Sequence, residues 1–178
     1  MGGAAVRSGA LYGALRSLSG SPTGDAAPLD PASLSGLSAR ELIDAIVDFV
    51  SPSDGSQDAD SSQHAIAAAL SDLLEDQPDI DLGALTSDEI AWVVERHLAY
   101  EIHQRVQLDV GKSVLEKATS PATAMRRLDE IRDYIRETVA SAFRQRRSSG
   151  APLTNGDATR LANSVLEDTF AVFEEYIE

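Results

Sequence analysis

The sequence contains no cysteine, few aromatic residues and no long apolar run, and each absence excludes a class of protein. Without cysteine the chain can hold no disulfide, no thiolate zinc site and no iron–sulfur cluster, and it has no cysteine nucleophile. No stretch reaches the roughly 20 apolar residues that a membrane-spanning helix needs. We therefore expect a cytoplasmic protein without a signal peptide or a membrane span.

Basic residues are also scarce, and the charge is unevenly distributed. The formal net charge is −14. Residues 25–90 contain fifteen acidic residues and a single basic one, Arg40, whereas residues 120–147 contain seven arginines against four carboxylates. The acidic half would repel nucleic acid, and the sign reversal predicts a dipolar molecule with a basic end.

Apolar residues recur at helical spacing, and no segment alternates with a period of two. The pattern predicts an all-α fold, a helical bundle of about five helices plus a short N-terminal helix. Seven of the twelve glycines lie in residues 1–36, which predicts a flexible N-terminal arm over 1–36 and a helical domain over 37–178. Within the arm, residues 7–18 are predicted to form a short helix. Such a helix is marginal alone, so it docks either on its own domain or on a partner through Leu11, Tyr12 and Leu15.

Local signals mark where the other helices begin. Capping boxes starting at Ser38 and Thr86 predict two helix N-termini, and Ser120 before a proline predicts a third. A helix over about 61–76 would be capped by Asp60 or Ser61. The helix after Thr86 is long and apolar on several faces, so we expect it at the centre, with Gly111 as its weak point.

The sequence contains no known catalytic motif, and we predict a protein that is not an enzyme and has no cofactor. His97 and Glu101 are four residues apart, a spacing that a helical metal site can use. Because Arg105 follows four residues later, the pair is also explained by a row of ion pairs along a buried helix. No second ligand pair accompanies it, so we predict no metal site, and a metalloenzyme remains the minor hypothesis.

Arginines cluster on the predicted helix over 121–147. Three intrahelical ion pairs are predicted there: Arg126 with Glu130, Asp129 with Arg132, and Asp133 with Arg136. Arg144, Arg146 and Arg147 lack such neighbours, which makes them candidates for contact with an acidic partner, a phosphate-bearing ligand or nucleic acid. Tyr176 is a further candidate contact, since interfaces favour tyrosine.

Several segments together resemble the C-terminal part of the QatB family. They are SGALYGAL (8–15), AIVDFVSPSDGSQD (45–58), QRVQLDVGKSVLEKA (104–118), LDEIRDYIRETVASAFR (128–144) and VLEDTFAVFEEY (165–176). QatB is a component of the Qat anti-phage defence system, encoded with an ATPase, a QueC-like protein and a TatD-like DNase. The resemblance implies a non-enzymatic scaffold whose partner is the QueC-like protein, with the ATPase and the DNase as further partners in the system.

The resemblance also implies a role for the N-terminus. In related operons, QueC-like enzymes attach a deazaguanine to the N-terminal amine of a protein, and QatB is the natural acceptor. Gly2 is the implied modification site if the chain starts at its native residue. Family members usually carry a Gly/Ser-rich region before the SGALYGAL-like segment, and this chain all but lacks it. The alternative hypothesis is a helical sensor of nucleic acid or of a phage signal, acting through the basic end of helix 121–147.

Overall fold

The computed structural model describes residues 2–20, 29–148 and 154–174, and within them every regular element is helical. The helices are α1 (Gly2–Leu18), α2 (Ala39–Val50), α3 (Gln57–Asp76), α4 (Ser87–Lys117), α5 (Pro121–Ser148) and α6 (Asn155–Glu174), with one 3-10 turn at Pro31–Leu34. The prediction of an all-α bundle is confirmed.

The two predicted capping boxes are present and fix the starts of α2 and α4. Ser38 Oγ accepts a hydrogen bond from the Glu41 backbone N–H at 3.4 Å, and the Glu41 carboxylate accepts one from the Ser38 backbone N–H at 2.8 Å. Thr86 and Glu89 repeat the arrangement at 3.3 and 2.7 Å. Each box satisfies backbone donors that a helix start leaves without partners.

Helix α3 begins four residues before its predicted start. Its N-cap is Ser56, whose Oγ accepts from the Ala59 backbone N–H at 3.1 Å. The preceding Gly55 has a φ of 75°, a left-handed turn that sends the chain directly into the helix. The predicted cap at Asp60 or Ser61 is therefore wrong.

Helix α4 is the centre of the bundle. It packs against α1, α3, α5 and α6. Val93, Val94, Leu98 and Ile102 are buried on it, which confirms the prediction that this helix is covered on several sides. It continues through Gly111 to Lys117 without interruption.

Helix α1 is longer than the predicted segment 7–18 and packs against α6, α4 and α2. Gly9 and Gly13 lie where α1 meets α6. A Cβ added to Gly13 would lie 2.6 Å from Asn155 Nδ2, and one added to Gly9 would lie 3.0 Å from the Asn155 carbonyl oxygen. These glycines permit close approach of two helices, which corrects the expectation of a flexible arm for residues 2–18. Residues 21–28, in the predicted linker, lie outside the described residues.

Candidate functional site

A small cavity lies between α4 and α5. Its volume is about 210 Å³, and its polar lining comes from Arg96, Tyr100 and His103 of α4 and from Arg132 and Arg136 of α5. Positions 96, 100 and 103 are four and three residues apart, so the helical repeat places them on one face. Positions 132 and 136 are matched in the same way on α5. The cavity therefore forms where one face of α4 packs beside one face of α5.

The three arginines of the cavity differ in their partners. Arg132 forms ion pairs with Asp129 at 3.1 Å and Asp133 at 3.7 Å. Arg136 has no ion pair with any described residue, so the predicted pair with Asp133 is wrong: Asp133 contacts Arg132 instead. The predicted pair between Asp129 and Arg132 is confirmed.

Arg96 is held by an aromatic ring. Its guanidinium carbon lies 4.8 Å from the centroid of Trp92, one helical turn before it, and no described carboxylate forms an ion pair with it. The cation is thereby oriented at the cavity without losing its charge to an acidic neighbour.

The other two polar groups of the cavity are uncharged at neutral pH. Burial lowers the pKa of His103, and the positive charge of Arg132 lowers it further. The Tyr100 hydroxyl donates a hydrogen bond to Asp72 Oδ2 at 2.9 Å. Burial and this hydrogen bond raise the pKa of Tyr100. Positive charge in the cavity therefore comes from arginine alone.

Each arginine at the end of α5 that we predicted as a contact residue is paired within the molecule. Arg144 Nη2 lies 2.6 Å from Glu137 Oε1, Arg146 Nη2 lies 3.0 Å from Asp157 Oδ2, and Arg147 Nη2 lies 3.5 Å from Glu95 Oε2. The expectation that these arginines lack carboxylate neighbours is thus corrected. Glu137 lies two helical turns before Arg144 on α5, whereas Asp157 is on α6 and Glu95 is on α4, so spacing within α5 does not reveal the partners of Arg146 and Arg147. This pairing weakens the case for nucleic-acid binding at this end.

The carboxylate of Asp157 has partners on both α5 and α6. It completes a cap with Thr154, whose hydroxyl donates to Asp157 Oδ2 at 2.8 Å, and it also accepts from Arg146 and Arg160. The hydrogen bond from Thr154, with those from the arginines, lowers the pKa of Asp157 to about 2. Asp157 therefore ties the end of α5 to the start of α6.

The predicted contact residues of α1 are in the interior. Leu11 and Leu15 have no exposed surface and Tyr12 is buried. Burial raises the pKa of Tyr12, on which the charges of Arg16, Asp157 and Arg146 also act. The prediction that these three side chains are offered to a partner is corrected: α1 closes over its own bundle. Tyr176 lies outside the described residues, and Gly2 is the first residue of α1.

His97 and Glu101 do not form the predicted row with Arg105. Glu101 Oε1 lies 3.3 Å from Nε of Arg7, on α1, and 4.0 Å from Nε2 of His97. His97 is fully buried, and neither ring nitrogen has a hydrogen-bond partner in the described part of the chain. Burial lowers its pKa to about 4, so the ring is neutral at pH 7. The pair forms part of the contact between α1 and α4.

The far end of the hairpin formed by α4 and α5 exposes apolar side chains. Leu108 is 63% exposed, Leu115 59% and Met125 60%. Leu108 and Leu115 are two helical turns apart on α4, and the three-residue connection after Lys117 places Met125 at the same end. We call these three residues the hairpin-tip surface.

The described residues contain neither a cluster of metal-ligating side chains nor a membrane-spanning helix. No group of three or more histidine, aspartate or glutamate side chains is placed to hold a metal ion within ranges 2–20, 29–148 and 154–174. None of the helices in those ranges combines the length and the apolar character required to cross a bilayer.

Comparison with known proteins relates the chain to a protein family. A protein-family model described as "Qat anti-phage system associated protein QatB" matches residues 1–173. No curated protein and no solved structure matches the chain.

Proposed function

This chain belongs to the QatB family of Qat anti-phage defence proteins, and from this premise we propose that it is a non-enzymatic helical scaffold that binds the QueC-like component. The family match establishes a component of a system with several proteins. The choice of the QueC-like protein as partner, and the scaffold role, are our proposal. Its physical support is a surface that the fold of the chain leaves uncovered.

The hairpin-tip surface is the observation that carries the docking proposal. Three large apolar side chains, each more than half exposed, lie at one end of two long helices. Exposed apolar residues grouped in this way are typical of protein contact sites, whereas single ones are common on any surface. The residues predicted earlier on α1 are unavailable because they are buried, so the proposed docking site moves to the tip.

We also propose that the chain presents its N-terminal segment to the partner as a modification substrate. Ala4 and Ala5 are buried, whereas Gly3 and Val6 are exposed. Gly3 can therefore leave the helix without uncovering the buried side chains of α1, which begin at Ala4. A glycine in this segment helps an amine enter a narrow enzyme pocket because it has no side chain.

Size-exclusion chromatography of the chain mixed with the QueC-like protein, at micromolar concentration in low salt, tests the docking. We expect one complex, and we expect the double variant Leu108→Ser/Leu115→Ser to weaken it about tenfold, the effect of losing an interface contact worth about 1.4 kcal/mol. The mass of the N-terminal peptide from cells that carry the whole operon tests the presentation. We expect added mass that is absent when the QueC-like protein is deleted.

Phe49→Ser is the matched control for docking, because Phe49 is also an exposed apolar side chain, 39% exposed, but it lies on α2, outside the hairpin-tip surface and outside the N-terminal segment. Equal affinity of this variant and the unaltered chain supports the tip as the contact surface. Separate elution of the two unaltered proteins would refute the docking proposal. An unmodified N-terminal peptide in the complete system would refute the presentation and leave the docking result standing.

A further inference from the structure

We propose that the cavity between α4 and α5 binds the phosphate group of a small phosphorylated ligand. The proposal rests on the three guanidinium groups of Arg96, Arg132 and Arg136, which converge on one cavity from two helices. Arginine presents paired N–H donors in a planar fork that matches two oxygens of a phosphate. This inference is independent of the partner proposed above.

Two of the three cations are available to a ligand. Neither Arg96 nor Arg136 forms an ion pair with a carboxylate of the described residues, and Trp92 orients Arg96 without neutralising it. Arg132 is paired, but its partners Asp129 and Asp133 are more than half exposed, and ion pairs of this kind contribute little. A phosphate can therefore compete for Arg132.

The rest of the lining is suited to an anion that is partly removed from water. Neutral His103 keeps one N–H donor, and the Tyr100 hydroxyl directs its proton to Asp72. Tyr100 and the small, buried Ala99 complete the lining. Arg96 and Arg136 balance the up to two negative charges of a phosphate, and Arg132 adds a third cation whose charge is partly offset by Asp129 and Asp133.

The size of the cavity limits the ligand. A volume of about 210 Å³ is below the roughly 300–1,000 Å³ of pockets that enclose whole drug-sized molecules. The cavity is suited to the phosphate end of a ligand, whose remaining part extends into solvent. The same phosphate could arrive as the free ion or on a nucleotide. The acidic remainder of the molecule disfavours a long nucleic-acid backbone.

Isothermal titration calorimetry on the full chain tests the proposal, with inorganic phosphate, AMP and adenosine as probes in low-salt buffer. We expect phosphate and AMP to bind and adenosine not to bind. AMP tighter than phosphate identifies a nucleotide end as the ligand, and equal affinities identify the phosphate alone. Arg136→Gln should weaken binding about tenfold, as expected for loss of one charge-assisted contact.

Arg127→Gln is the matched control because it removes the same charge from the same helix. Arg127 is exposed and does not line the cavity. We expect less than a twofold change. Because Arg136 is also exposed, both variants should unfold at the temperature of the unaltered chain. Absence of phosphate and AMP binding, binding of adenosine as tight as that of AMP, or equal losses in the two variants would each overturn the proposal.

Discussion

At the scale of single residues, His97 is the position where burial has the clearest energetic consequence. An imidazole without hydrogen-bond partners in a fully buried position disfavours its charged form, and this lowers the pKa of His97 from 6.5 to about 4. The Glu101 charge opposes the shift, and the Arg7 charge adds to it. His97 is thus neutral when folded and gains a proton on unfolding in mild acid.

This difference predicts a loss of stability as the pH falls. Between pH 6.5 and 4 the unfolded chain binds the proton that the folded chain does not, so the free energy of unfolding decreases with decreasing pH. From pH 7 to pH 5 we expect His97 to account for a loss of about 2 kcal/mol. Urea unfolding at pH 7 and pH 5 measures the free energy of unfolding of both chains. Between these pH values, His97→Leu should lose about 2 kcal/mol less of this free energy than the unaltered chain.

His103 titrates in the same direction, because its pKa is also lowered, and it serves as the comparison. It remains in His97→Leu, so the difference between the two chains isolates His97. Leucine has a similar volume and leaves no buried nitrogen without a partner, and we expect the variant to be no less stable at pH 7. Parallel pH profiles of the two chains would contradict the assignment of the proton to His97.

At the scale of elements, the same residue type has opposite roles in two helices. Gly9 in α1 lies against the backbone and side chains of α6, whereas the nearest atom to a Cβ added at Gly111 in α4 is Gln107 Cγ at 3.9 Å. Only the first glycine is required by packing. The second lowers the helix propensity of α4 with no compensating contact.

Alanine should therefore act in opposite directions at the two positions. Gly111→Ala is expected to stabilise the protein by about 0.5–1 kcal/mol because it reduces the freedom of the unfolded chain. Gly9→Ala is expected to destabilise it by about 1–3 kcal/mol, since α1 and α6 must move apart. Chemical denaturation of both variants measures the two effects. A destabilising Gly111→Ala would show that α4 needs flexibility there.

The helices could be predicted more completely than their contacts. The boxes at Ser38 and Thr86 involve residues three apart, so the sequence alone contains the interaction. The contact between Arg7 and Glu101, and the pairing of Arg147 with Glu95, depend on how distant helices align. The cavity also depends on the alignment of distant helices. The sequence shows that Arg96, Tyr100 and His103 have the spacing of one helix face, but it does not show that this face packs against α5.

At the scale of the whole molecule, the position of α1 decides what the fold consists of. The composition of residues 1–36, rich in glycine and proline, predicted an arm separate from the domain over 37–178. Its helix instead buries Leu11, Tyr12, Leu15 and Leu18 in the common core. The charge asymmetry is also moderated, since arginines at the end of α5 are paired with Glu95, Glu137 and Asp157.

We therefore expect that a chain starting at Leu37 does not fold cooperatively. Burying an apolar or aromatic side chain stabilises by about 1.5–3 kcal/mol, and four such side chains contribute on the order of 6–12 kcal/mol, comparable with the roughly 5–15 kcal/mol that stabilises a typical domain. Thermal unfolding followed by circular dichroism should show no sharp transition. In the full chain, Leu11→Ala should lower the free energy of unfolding by about 2–5 kcal/mol. Val6→Ala, at an exposed position of the same helix, should lower it by less than about 0.5 kcal/mol. A shortened chain with an unchanged transition would show that α1 is an appendage and would restore it as a surface for the partner.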